Sequence, residues 1–172
     1  MLSRSAAACL VALLSFVPSA TAQIPLDPVS SRLDRAVREC PHVTIFDDVD
    51  ARVDGSAVLL TGKVTANVKR DEIEKRIAGI DGVREVRNEI AVLPPLSSDD
   101  DLRHRVARAI YGNPTFWPYA ALANPPIHII VERGHVTLRG TVSSNVERTM
   151  ARTLASGMGE RSLSNELRTE GR

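Results

Sequence analysis

Apolar residues recur along this chain in two rhythms, one of three and four residues and one of two, and the same succession of rhythms occurs twice. In the first round Leu33, Ala36 and Val37 share a helical face behind Ser30 or Ser31, either of which suits an N-cap, and Pro41 closes the segment. Val53, then Val58, Leu60 and Val64, alternate with polar neighbours on either side of Asp54-Gly55, the pattern of a β-hairpin. A helix is predicted from about Asn67 with Ile73, Ile77 and Ile80 on its inner face, and Val86, Ile90 and Val92 at even spacings make a last strand. The second round opens with Ser98 ahead of Asp99-Asp100-Asp101, acids that suit the positive end of a helix whose apolar face is Leu102, Val106, Ala109 and Ile110. Ile127, Ile129 and Val131, then Val136, Leu138 and Val142, predict a second hairpin. Ser144 and Glu147 have capping-box spacing, Val146, Met150 and Leu154 recur every four residues, and Leu163 and Leu167 supply the closing strand.

The two rounds are copies of one unit. At an offset of 78 residues Val53 falls on Val131, Val58 on Val136, Leu60 on Leu138, Gly62 on Gly140, Val64 on Val142 and Val68 on Val146. After a one-residue gap Gly82 falls on Gly159 and Asn88-Glu89-Ile90 on Asn165-Glu166-Leu167. The expected fold class is α+β, two small αββαβ modules, each a three-stranded mixed sheet packed on two helices. The modules are expected over residues 30–93 and 99–170, with a stiff linker at 94–98 around Pro94-Pro95. Units of this size are near the lower limit for a self-sufficient core, so the two should pack together or on a partner. Copy two carries about nine extra residues within an aromatic and proline-rich insertion, 111–126.

Composition changes the picture chiefly at the N-terminus. Arg4, an uncharged stretch from Ser5 to Val17, and Ala20-Thr21-Ala22 read as a secretory signal peptide spanning 1–22, with cleavage expected after Ala22. Removing Arg4 leaves 21 basic against 21 acidic residues, which gives no broad pull on nucleic acid. Cys9 leaves with the signal, so Cys40 has no intramolecular partner; free cysteines are more often buried hydrophobes, and the sequence leaves the exposure of Cys40 open.

Candidate chemistry is sparse. His42, His104, His128 and His135 lack zinc-site spacings; His128 and His135 flank the second hairpin and could approach one another across it, but two ligands make no site. Asp47-Asp48-Val49-Asp50 lacks the glycine and distal glutamate of a calcium loop and reads as solvated. No nucleophile elbow and no phosphate loop occur, so no catalytic residue, metal or cofactor is assigned. Gly62 and Gly140, at matching places, should mark a strand bulge or a close helix–strand contact. Tyr111, Phe116, Trp117 and Tyr119 cluster in the insertion. They either plug a small core or seam, or present apolar rings with polar handles to a lipid headgroup boundary. In the second reading the contact residues are Trp117, Tyr119 and Phe116, with Arg148 and Arg152 near phosphates.

The chain resembles a tandem pair of BON domains. The resemblance rests on Gly62-Lys63-Val64 and Gly140-Thr141-Val142 after each hairpin, and on the run from Gly82-Val83 through Val86 and Asn88 to Ile90, which marks Gly82, Asn88 and Asn165 as structural-motif positions. Copy two departs from it at Glu160, where a valine is expected. The resemblance implies a periplasmic protein of the bacterial envelope, of stress-response type and without enzymatic activity, that engages anionic phospholipid. Its alternative is a protein–protein adaptor or structural component of an envelope or secretion complex, since BON-like folds are similar to the ring-building modules of secretion machinery.

Overall fold

The computed structural model describes residues 28–54 and 57–170. The expected signal peptide, Cys9 and Gly55 of the first hairpin turn lie outside the described residues. The first unit runs α1 (Pro28–Arg38), β1 (Asp48–Asp54), β2 (Ala57–Val64), α2 (Asn67–Ala78) and β3 (Glu85–Val92). The second runs α3 (Ser97–Tyr111), a 3-10 turn (Pro114–Phe116), α4 (Trp117–Ala120), β4 (Ile127–Glu132), β5 (His135–Val142), α5 (Asn145–Ala155), β6 (Ser162–Asn165) and β7 (Arg168–Thr169). The fold class is α+β as expected, with one mixed sheet in each unit. The order is β1-β2-β3 in the first and β4-β5-β6 in the second, where β7 also pairs with β5. Each hairpin is antiparallel, and the strand after the helix returns parallel to the hairpin's second strand because the helix carries the chain back along the sheet.

Alternation along the hairpins sorts side chains as expected except at Val53, which stands 43% exposed near the end of β1. Val58, Leu60 and Val64 in one unit, and Ile127, Ile129, Val131, Val136, Leu138 and Val142 in the other, are all buried. Gly62 and Gly140 hold φ values of +127° and +112°. A Cβ on either would stand closer than 3.0 Å to a carbonyl of the antiparallel partner segment, Asp48 O or Pro126 O. The glycines therefore mark a close strand–strand approach; of the two expected readings, a strand bulge or a helix–strand contact, this overturns the helix–strand contact.

Several local expectations shift for physical reasons. Helix α1 begins at Pro28, a favoured first helical residue, so Ser30 and Ser31 lie inside its first turn rather than at its cap. Helix α3 starts at Ser97, one residue ahead of Ser98. Its inner face is Leu102, Val106 and Ile110 with Ala107, not Ala109, against the core. It also buries Arg103, whose Nη2 donates to Val131 O at 2.7 Å. In α5 the fully buried residues are Ala151 and Ala155; Met150 and Leu154 pack beside them, whereas Val146 stands 70% exposed. The closing strand of the second unit is broken into β6 and β7, with Leu167 buried in the break. Glu160 turns its carboxylate onto the backbone N–H groups of Gly157 and Met158 at 2.9 and 2.8 Å, which satisfies an acid where a valine was expected.

The units meet along β4. Ile129 N–H donates to Ile45 O at 2.7 Å, His128 Nδ1 hydrogen-bonds to Asp47 O at 2.6 Å, and Phe46 lies edge-on to His104 with centroids 5.0 Å apart. Arg139 bridges Asp48 and Glu166 at 2.9 and 2.8 Å, and Lys63 pairs with Glu132. Ile45 and Phe46 of the first unit pack against the second unit's core, so the short Pro-Pro linker joins units in direct contact.

Candidate functional site

The insertion is built on the C-terminal end of α3. Tyr111 Oη donates to Ile127 O at 2.6 Å and accepts from Ile127 N at 3.1 Å, tying the helix end to the start of β4. Burial pushes the Tyr111 phenol far above its ordinary range, so it holds this bond as a neutral group. Asn113 caps the 3-10 turn by accepting from Thr115 N at 3.0 Å. The turn drives Phe116 into the core at 0% exposure, with the Tyr119 ring 6.1 Å away. Phe116 is thus a core residue, which corrects its expected place on a contact surface.

Tyr119 is half-buried and ties α4 to the start of α5. Its Oη donates to Glu147 Oε2 at 2.7 Å and accepts from Ser143 N at 2.9 Å. Burial and the Glu147 carboxylate both push its phenol up, against the Ser143 contacts. Half of the predicted capping box is present, since Ser144 Oγ accepts from Glu147 N at 3.2 Å. Glu147 reaches Ser143 N rather than Ser144 N, a displacement that lets it meet Tyr119.

Trp117 is the outward member of the cluster. Its side chain is 60% exposed, and Nε1 donates to Gly112 O at 3.3 Å, which fixes the indole against the end of α3. Leu122, 52% exposed, follows α4, and Val146, 70% exposed, opens α5 beside Glu147. The Tyr119–Glu147 bond therefore brings two exposed apolar residues of the insertion and one of α5 into neighbouring elements. Leu122 and Val146 escaped sequence reading, because periodicity assigns a face to a helix without saying which side is covered.

Arg148 and Arg152 lie exposed on α5, and neither forms an ion pair among the described residues. One turn apart, they share a helical side, whereas Val146 is rotated by about 160° from Arg148 and about 120° from Arg152 at 3.6 residues per turn. The two arginines and Val146 thus face different sides of α5. Asn88 and Asn165 serve the framework. Asn88 Nδ2 donates to Glu74 Oε2 at 2.8 Å and Asn165 Nδ2 to Arg148 O at 2.8 Å, each tying the last strand of its unit to the preceding helix. Gly82 holds φ +98° at the turn ahead of β3.

The remaining candidates resolve into structure. His128 and His135 stand at opposite ends of the hairpin and are not brought together: one bonds Asp47 O, the other Ser162 Oγ at 2.7 Å. Asp47 is wholly buried rather than solvated. Its carboxylate accepts from Thr44 N, Thr65 N and Lys69 Nζ at 2.7 to 2.8 Å, with Asp48 paired to Arg139. Cys40, whose exposure the sequence left open, is buried, and that burial pushes its thiol up, away from the reactive thiolate. Among the described residues no group of three or more His, Cys, Asp or Glu could hold a metal ion, and no helix is long and apolar enough to cross a membrane.

A doubled αββαβ framework whose polar clusters are spent on hydrogen bonds within the fold defines a small tandem module, with exposed large apolar residues in both copies: Val53 and Val68 in the first, Trp117 and Leu122 in the insertion, and Val146, the counterpart of Val68, on α5. The BON domain model matches residues 29–94 and 98–170, and the chain belongs to the BON-domain family. BON domains occur in periplasmic and envelope proteins and are in general non-catalytic. No curated protein matches the chain. Among solved structures it is similar to the C-terminal domain of CdsD, the structural protein of the type III secretion system of Chlamydia trachomatis. That match has 12% identity, covers 81% of this chain and 98% of that one, and has a TM-score of 0.27. A second CdsD structure matches at 11% identity over 81% and 93% of the two chains, with a TM-score of 0.28.

Proposed function

We propose that this is an exported, non-enzymatic periplasmic protein that associates with the phospholipid membrane of the bacterial envelope through the insertion face of its second unit. The observation that carries the reading is Trp117, a single tryptophan held 60% exposed by its own hydrogen bond to Gly112, with exposed Leu122 and Val146 on neighbouring elements. An indole on the surface costs solvation in water and is favoured at the headgroup boundary, where its ring meets apolar groups and its N–H stays wet. Arg148 and Arg152, exposed on α5, would meet anionic headgroups, each contributing about 1 kcal/mol near such a surface.

The test is Trp117 emission during titration with phosphatidylglycerol or phosphatidylcholine vesicles at low and high salt. A blue shift with the anionic vesicles, weakened by salt, is expected. Trp117→Ala, followed by co-sedimentation, should weaken binding roughly tenfold. The same substitution should change folding stability by less than about 0.5 kcal/mol, because the side chain leaves little packing behind. Emission that does not move, with no co-sedimentation, overturns the membrane reading.

A second reading, a protein–protein adaptor, draws on β3, an eight-residue strand at the open edge of the first sheet that pairs only with β2 among the described residues. Such an edge can accept a further strand, although Glu85, Arg87 and Glu89 guard it with charge. An adaptor would ignore vesicles of either composition.

A further inference from the structure

The second hairpin turns through Arg133-Gly134, with φ values of +52° and +81°. A two-residue turn of this hand favours Asn-Gly or Asp-Gly, and Arg133 is the only non-glycine residue at positive φ among the described residues. The conformation is imposed by Asp99, whose two carboxylate oxygens accept from Arg133 N at 2.6 Å and Gly134 N at 2.9 Å. Beside this turn a cleft of about 460 Å³ opens between the first turns of α3 and the segment leading into β6.

Three arginines line that cleft, Arg105, Arg133 and Arg161. Two are held in place by their own contacts. Arg161 N donates to Gly134 O at 2.8 Å, and its stem lies so close over Gly134 that a Cβ there would stand 3.1 Å from its Cγ. Arg105 Nε donates to Met158 O at 3.2 Å, which leaves both of its terminal nitrogens to other partners. None of the three guanidinium groups forms an ion pair with a described residue. The nearby acids are already engaged: Asp99 with the turn, Glu132 with Lys63, and Glu160 with the N–H groups of Gly157 and Met158. Three arginines thus line the opening against a single acid, Asp99, whose carboxylate is turned onto the N–H groups of the hairpin turn, and the lining carries net positive charge.

We propose that this cleft binds a phosphate ester, with Arg105, Arg133 and Arg161 as its ligands. Guanidinium groups present paired N–H donors that match phosphate oxygens two at a time, and Ser98 on the first turn of α3 lines the same opening. The ester belongs either to a soluble metabolite or to a lipid headgroup. The site is at the N-terminal part of α3, whereas the insertion follows its C-terminal end; a 15-residue helix is about 22 Å long, so the two are separately testable.

Isothermal titration of the full chain from Gln23 with glycerol phosphate, and with glycerol as control, decides it. Saturable binding of glycerol phosphate alone is expected. The Arg105→Gln/Arg161→Gln double variant should weaken it at least about tenfold with an unchanged urea midpoint, since both side chains stand on the surface. Trp117→Ala should leave it intact, so that loss of vesicle binding in that variant bears only on the membrane reading. If excess glycerol phosphate releases the protein from phosphatidylglycerol vesicles, the ester is a lipid headgroup; if it binds without affecting vesicles, the ester is soluble. No saturable binding, or equal binding by the double variant, overturns the proposal.

Discussion

Gly140→Ala should abolish the folded second unit, or cost it at least about 4 kcal/mol, measured as a fall in the urea midpoint followed by circular dichroism and Trp117 emission. Two independent penalties combine. The backbone holds φ +112°, a conformation that costs a non-glycine residue about 1–3 kcal/mol. The new methyl group would also sit inside contact distance of Pro126 O, a backbone atom that cannot rotate away. Relieving the clash would pull β5 from the segment entering β4, and Ile127, Ile129 and Leu138 are buried along that pairing. Gly157→Ala is the control. That glycine also has positive φ, +77°, but its Cβ would meet nothing within 4 Å, so only a backbone penalty of about 1 kcal/mol is expected. Equal midpoints for Gly140→Ala and Gly157→Ala would contradict the close strand approach. Gly62→Ala makes the corresponding test in the first unit, where the obstructing atom is Asp48 O.

The equivalence of Gly62 and Gly140 was legible because a repeat compares the chain with itself, and it told that both positions share one backbone requirement. It did not tell what the requirement was; that needed the partner strand. The hairpins were legible for a related reason: period-two alternation in a sheet buried on one face leaves little freedom of register. Helix α5 was harder. Val146, Met150 and Leu154 satisfy the spacing of an apolar face, yet the packed line runs through Ala151 and Ala155, the small residues on the side turned to the core. Arg103 lies buried mid-helix because Val131 O waits for its guanidinium, a partner 28 residues away that no local pattern announces. The aromatic cluster divides in the same way. The sequence marks four aromatic residues, and only the 3-10 turn decides that Phe116 points inward while Trp117 points out.

Asp47→Ala should cost about 3–5 kcal/mol, the range for breaking a buried ion pair by removing one partner. Read along the chain, Asp47 belongs to an acidic run that suggests a solvated loop. In the fold it is wholly buried, and Lys69, at 15% exposure, donates to it at 2.7 Å. Truncation would leave that ammonium and the backbone N–H groups of Thr44 and Thr65 without their acceptor at the place where Asp47 O also receives His128 from the second unit. The same carboxylate sets an acid limit on stability. Burial raises its pKa, but hydrogen bonds from Lys69, Thr65 and Thr44 outweigh burial, so it titrates below its ordinary value of 3.8. The unfolded chain therefore binds more protons than the native state beneath that value. The stabilisation is complete above pH 3.8 and is lost as pH falls through the lower, folded value. Glu72, Glu132 and Glu160 shift in the same direction from positions nearer solvent, where each carries less free energy. Urea midpoints measured from pH 7 down to about pH 2 should fall more steeply below pH 3.8 for the natural chain than for Asp47→Asn, which begins less stable but has no carboxylate to protonate there. Parallel curves for the two proteins would move the acid limit to another group.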